Sequence, residues 1–156
     1  MTPAILQLDR LGVAYTLHEY QHQPNSTSYG EEAAAKLDIT PDQVFKTLVA
    51  KLDGKQLCVA VLPVSAQLSM KLLARAASCR KAVMADTGEA QRSSGYLAGG
   101  ISPLGQKRRL PTFIDSSAED YSSIYISAGR RGLEVALAPV DLQTILDASV
   151  VSLAQV

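Results

Sequence analysis

Lys46 stands between Phe45 and the apolar run Thr47 to Ala50, where the chain turns from a helical pattern into a strand pattern. An ammonium at such a junction is partly stripped of water. Desolvation lowers its pKa and strengthens its pull on an anion, so the chemistry open to it is holding a phosphate or polarising an oxygen. A lysine at a strand end can equally reach back to solvent along its aliphatic stem.

A second candidate is residues 94–111, SGYLAGGISPLGQKRRLP, with Gly95, Gly99, Gly100 and Gly105 in a short span that ends in Lys107, Arg108 and Arg109. Glycines let a ligand approach the main chain and leave N–H groups free for an anion or a carbonyl oxygen. Pro103 and Pro111 restrict the span and reduce the entropy lost on binding. An ordinary turn accounts for the glycines as well. No strand is followed by a glycine-rich turn and a long helix, so the span is neither a dinucleotide fingerprint nor a P-loop.

Hydroxyls at Thr47, Ser102 and Ser127 are available, but no G-x-S-x-G elbow marks any of them as a nucleophile. Ser127 opens SAGRRG, a tight connection whose Arg130 and Arg131 can reach phosphates or simply face water. Tyr20 and Tyr29 border the polar stretch 21–28, where their rings can stack on a base or lie half-buried. His18 and His22, near the first strand, read as surface residues. Cys58 and Cys79 have no partner at metal spacing, which argues against a zinc site and a cysteine–histidine dyad.

These residues need elements to hold them. Thr2, Pro3 and Gly12 bound a short amphipathic helix, and Val13, Tyr15 and Leu17 alternate as in a strand. Ser28 with Glu31 has capping-box spacing for one helix, and Thr40, Pro41 and Gln43 repeat the logic for a second. Asp53-Gly54 joins KTLVAKL to QLCVAVLP as a hairpin, and the latter, apolar on both faces, is predicted to be central. Ser69 and Asp86 are caps for two further short helices on either side of a KAVMA strand. PTFID, SIYIS and LEVALA are strands, and PVDLQTIL is a closing helix before an ambiguous tail. The pattern predicts a mixed α/β fold with one curled, partly barrel-like mixed sheet of six or seven strands.

With 156 residues, 47% of them apolar, the chain has material for one core, and a single domain spanning 1–156 is expected. Net charge is zero, yet residues 71–131 carry ten basic and five acidic side chains between acidic flanks, enough for a basic surface. No run approaches membrane-spanning length and no leader is evident, so a cytoplasmic setting is expected.

Taken in order, VFKTLVA (44–50), GYLAGGISPLGQKRRLPTFID (95–115) and IYISAGRRGLEVAL (124–137) resemble the YbaK family of aminoacyl-tRNA editing proteins, YbaK-type Cys-tRNA(Pro) deacylases related to the inserted editing domain of prolyl-tRNA synthetases. The resemblance runs from MTPA to DLQTILDA. It implies hydrolysis of the ester joining cysteine to the 3′ end of mischarged tRNA(Pro), with cysteinyl-tRNA(Cys) as a further substrate. Also implied are Lys46 as the essential lysine, Tyr20, Tyr29 and Thr47 lining the pocket, and Gly99, Gly100, Ile101, Ser102 and Pro103 presenting main-chain groups to the terminal nucleotide or carbonyl. Ser127 with Gly129 forms another wall. No metal, cofactor, DNA or membrane is implied; the partners are the tRNA acceptor end and prolyl-tRNA synthetase in a ternary complex. Relatives often carry aspartate at the place of Glu134, and no role is assigned to it. The substrate's own thiol is the expected nucleophile, with direct water attack as the other route. Deacylation of another small residue such as alanine, and a non-catalytic module that binds tRNA ends or a synthetase, are the alternatives.

Overall fold

The computed structural model describes residues 1–156. Helix α1 (Pro3–Leu11) starts where the Thr2 hydroxyl accepts from the Ile5 N–H and stops at left-handed Gly12, and it buries Ala4, Ile5 and Leu8. Strand β1 (Thr16–Glu19) and helix α2 (Tyr29–Leu37) follow. Ser28 makes no side-chain cap, and Thr40 to Gln43 form a turn closed by Gln43 N–H on the Thr40 carbonyl, so one helix stands where two are expected. Four residues between Thr40 and the strand start leave no room for the turns a helix needs.

Strands β2 (Phe45–Leu52) and β3 (Gln56–Pro63) pair antiparallel from Phe45 opposite Pro63 to Leu52 opposite Gln56. Asp53 and Gly54 both take positive φ, as a primed hairpin turn requires. Then come α3 (Met70–Ala76), β4 (Ala82–Met84), α4 (Thr87–Ser94), β5 (Thr112–Asp115), a 3-10 turn, β6 (Ile124–Arg130), β7 (Leu133–Leu137), α5 (Pro139–Leu146) and β8 (Ser149–Val151). Ser69 and Asp86 cap α3 and α4 by accepting from Leu72 and Glu89 N–H.

The mixed α/β class holds, but the strands divide into two open sheets and number eight. One has the order β4-β2-β3-β5-β8, with β3 central and β3–β5 and β5–β8 parallel; the other, β1-β7-β6, is antiparallel. The unforeseen strand is β8. The buried Asp115 carboxylate secures the chain after it by accepting from the Leu153 and Ala154 N–H groups at 2.8 and 3.2 Å.

A single parallel bridge, Val44 with Tyr125, joins the two sheets. It cannot extend into a closed barrel, because β4 covers the same edge of β2 further on, at Ala50 to Leu52. Between bridge and β4, the edge at Lys46 to Leu48 has no neighbouring strand. The larger core lies beneath, where Phe45, Val59, Val61 and Ile114 meet Ile124, Ile126 and Val135 from the other sheet and Leu8 from α1. No helix is long and apolar enough to cross a membrane.

The glycine-rich span is packed down on α1. Gly105 takes φ +64°, and a Cβ there would sit 2.6 Å from the Pro3 carbonyl oxygen. Gly105→Ala should therefore destabilise the fold by about 2 kcal/mol or more, read as a lowered midpoint in thermal or urea denaturation; an unchanged midpoint would mean that the span does not rest on α1.

Candidate active site

A cavity of about 420 Å³ opens at the uncovered stretch of the β2 edge. Its walls are β2, the start of α2, the β4–α4 corner with Met84 and Thr87, the tip of the glycine-rich span, and the face of the β1-β7-β6 sheet that carries Tyr20, Ser127 and Glu134. That volume lies within the usual range for small-molecule sites.

Lys46 lies half-buried at one end, its Nζ donating to the Ala66 carbonyl at 2.6 Å. Burial holds its pKa below the usual lysine value, opposed by the Glu31 carboxylate. One protein acceptor leaves the remaining N–H donors of the ammonium for an occupant. Next to it, Thr47 Oγ1 is buried and has no hydrogen-bond partner. Lining the cavity, this hydroxyl can donate to or accept from a polar group placed there. The Thr47 main chain is also open. The Gln43 and Val49 carbonyls both accept across the outer edge of β2, and strand alternation aims Thr47 the same way, where no strand meets it.

Three segments from distant parts of the chain are clasped together at the opposite wall. Arg131, in the β6–β7 turn, donates to the Ala98 carbonyl from Nε at 3.0 Å and from Nη2 at 2.7 Å. Its guanidinium also lies 4.6 Å over the centre of the Tyr29 ring. Gly99 occupies the space between: at φ +86°, a Cβ would meet Arg131 Nε at 2.7 Å and the Tyr29 ring at 2.8 Å. Only glycine admits this contact, which places its main chain on the cavity wall. On its other side Tyr29 packs on His22. His22 Nδ1 lies 2.6 Å from Glu32 Oε1, so this histidine is a half-buried tether and not the surface residue expected of a polar loop. Burial opposes ionisation of Glu32, but the bonds from His22 and the Gln23 N–H outweigh it and hold its pKa low.

Of the residues expected at a site, Lys46, Tyr20, Tyr29, Thr47, Gly99, Ile101 and Ser127 line the cavity, whereas Gly100, Ser102, Pro103 and Gly129 do not. Gly100 packs on the Arg130 backbone, and Gly129 on Tyr96 and Thr2. Ser102 is fully buried and accepts from the Leu104 N–H. Pro103 borders a smaller cleft of about 170 Å³ with Arg108 and Arg109. A spacing pattern cannot separate a residue that lines a pocket from a near neighbour in the chain that packs elsewhere.

Glu134 is the residue that pattern reasoning left without a part. It is 6% exposed and lines the cavity, and burial alone pushes its pKa up to about 8. The available signal was an acid inside the apolar strand LEVAL. Tyr20 lies close enough that Glu134 reinforces the burial that raises the phenol's pKa.

Residues 22–145 match the family model described as aminoacyl-tRNA editing domain. The chain is 35% identical over 138 residues to EbsC of Enterococcus faecalis, assigned by name as a Cys-tRNA(Pro)/Cys-tRNA(Cys) deacylase, covering 88% of this chain and 84% of that protein. Among solved structures it is similar to hypothetical protein APE2540, with a TM-score of 0.88 at 20% identity over 98% of this chain and 99% of that one. It is also similar to a structure assigned as a trans-editing enzyme for prolyl tRNA synthetase, with a TM-score of 0.79 at 21% identity over 91% and 87% of the two chains.

The buried acid has a measurable signature. Its carboxyl ionises near 4.5 when solvated and near 8 in the fold. Between those values the native state keeps a proton that the unfolded chain has shed, so stability falls as pH rises, by at most about 1.4 kcal/mol per pH unit. Glu134→Gln removes that slope. Its gain in melting temperature over the parent should be larger at about pH 7.5 than at about pH 5; a pH-independent difference would show that the carboxyl ionises normally.

Proposed function

The chain belongs to the aminoacyl-tRNA editing domain family, and from that premise we propose that it is a deacylase, one editing domain acting in trans on cysteinyl-tRNA(Pro), and on cysteinyl-tRNA(Cys) as its named relative is assigned to do. The observation that carries this is the meeting of a half-buried ammonium, an unpartnered hydroxyl and a bare glycine main chain in one cavity of ligand size. Such groups bind and polarise an ester without attacking it.

No histidine or cysteine lines the cavity. The Ser127 hydroxyl accepts from the Gly129 N–H, and Glu134, opposite it across the β6–β7 ladder, makes no hydrogen bond to it. This favours an attacking group supplied by the substrate. The cysteinyl thiol forms a bond to its own ester carbonyl, the carbonyl–oxygen bond to the ribose breaks, and the thiol proton ends on the departing 3′-oxygen. Water then opens the four-membered thiolactone. Holding thiol and carbonyl together supplies a large effective concentration, set against the ring strain. Lys46, in this account, holds the terminal phosphate or the ester oxygen, and the Gly99 wall meets the charge that develops on the carbonyl.

The rest of the tRNA needs a basic surface. Lys107, Arg108 and Arg109 are exposed, and none forms an ion pair. Arg131, over the Tyr29 ring, adds positive charge beside the cavity wall, whereas Arg130 faces Glu19 at 3.9 Å. The setting is the cytoplasm, with prolyl-tRNA synthetase supplying mischarged tRNA in a ternary complex.

Lys46→Ala should abolish deacylation of cysteinyl-tRNA(Pro) while leaving circular dichroism and melting temperature near those of the parent; unchanged turnover would remove the assignment. Replacing the esterified cysteine by serine or alanine on the same tRNA should slow hydrolysis by at least about a hundredfold, since the intramolecular thiol is lost. Equal rates for the alanyl ester would replace thiol chemistry by a sieve for small side chains.

A further inference from the structure

Glu134 is costly where it stands. On its own face of β7 the next residue, Ala136, is buried and apolar, and an apolar side chain at 134 would avoid the cost of burying a carboxyl with no ion partner. Nothing in the protein compensates it; burial is the sole influence on its ionisation. On β1, His18 stands opposite it in register, but its Nε2 is engaged with Thr16 Oγ1. Tyr20, just beyond β1, contributes a phenol and no cation. On β6, Ser127 stands opposite and is bonded to the Gly129 N–H. From β2, Lys46 is turned to the Ala66 carbonyl. From α2, Glu31 sits near Lys46 and Glu32 is tied to His22. The cavity therefore has a cation at one end and an uncommitted acid on another wall.

Given the deacylase assignment above, on which this inference rests, we propose that Glu134 recognises the free α-amino group of the aminoacyl ester, so that the site accepts primary amines and rejects N-acylated esters. The aminoacyl end of the substrate carries one cationic group, the α-ammonium, and Glu134 is the buried acid on the cavity wall without a partner. Before a ligand binds, burial favours the neutral form of the carboxyl. When the amine arrives protonated, the carboxyl proton leaves to solvent and an ion pair forms; when it arrives neutral, the same proton passes from carboxyl to amine. Both routes end in one carboxylate–ammonium pair, shielded from water and hence strong. An N-acylated ester, such as a formyl or peptidyl ester, can neither take the proton nor carry the charge. It leaves the acid buried and unpaired.

The test uses a hydrolysis-resistant analogue, 3′-cysteinylamino-3′-deoxyadenosine, beside its N-acetyl form, bound to the intact chain and to Glu134→Gln in calorimetry. The parent should bind the free amine roughly tenfold or more tighter than the N-acetyl form, and the variant should bind both within about twofold. At about pH 6.5, titration in buffers of different ionisation enthalpy should show close to one proton released per free amine bound by the parent, and none by the variant or with the N-acetyl form. A structural role for Glu134 would not move that proton count. Retained discrimination in Glu134→Gln, or equal binding of both analogues by the parent, overturns the proposal. Failure of the parent to bind either analogue overturns the aminoacyl-ester assignment, and this inference with it.

Discussion

A β-strand has two edges, and β2 must share one of them. Its inner edge is filled by β3 along its whole length, but its outer edge is divided: β6 takes the start through Val44 and Tyr125, and β4 takes the end from Ala50 to Leu52. The two claimants belong to different layers and cannot meet. The stretch between them is uncovered, and the cavity is that gap. The cavity lining is arranged around main chain that a closed barrel would have buried in a ladder.

Around the gap the protein spends its hydrogen bonds on holding the walls still. The glycine-rich span is tied at several points: Tyr96 donates its hydroxyl to the Leu104 carbonyl, Lys107 and Arg108 N–H groups bond to the Ser94 and Ser93 carbonyls, and Arg131 grips Ala98. A wall fixed before a substrate arrives need not reorganise as charge develops, and in the proposed deacylation this is what the protein contributes. The same rigidity explains the close approaches at Gly99 and Gly105, where backbone or ring fills the space a side chain would need.

Lys46 and Glu134 show how the cavity is polarised. Each is shifted toward its neutral form by burial, the lysine downward and the glutamic acid upward. Two such groups left apart reduce the stability of the empty protein, and both recover their charge energy when a ligand of opposite polarity lies between them. On the proposed reading, stability is given up here for binding.

Much of the scaffold was legible in the residues themselves. Caps at Thr2, Ser69 and Asp86, the Asp53-Gly54 turn and the two-faced apolar pattern of β3 act over a few positions, so local chemistry determined them. The partial burial of Lys46 followed from its place at a strand start. Tertiary structure alone decided the division into two sheets, the pairing of β8 with β5, the clasp of Arg131 on Tyr29 and Gly99, and the exclusion of Gly100, Ser102, Pro103 and Gly129 from the cavity lining. The reason is range. A hydrogen-bonded turn or cap is settled by neighbours in the chain, whereas which edge stays open, and whether Glu134 meets a cation or a cavity wall, depends on segments as far apart as β1, β2 and β7, which only folding brings into contact.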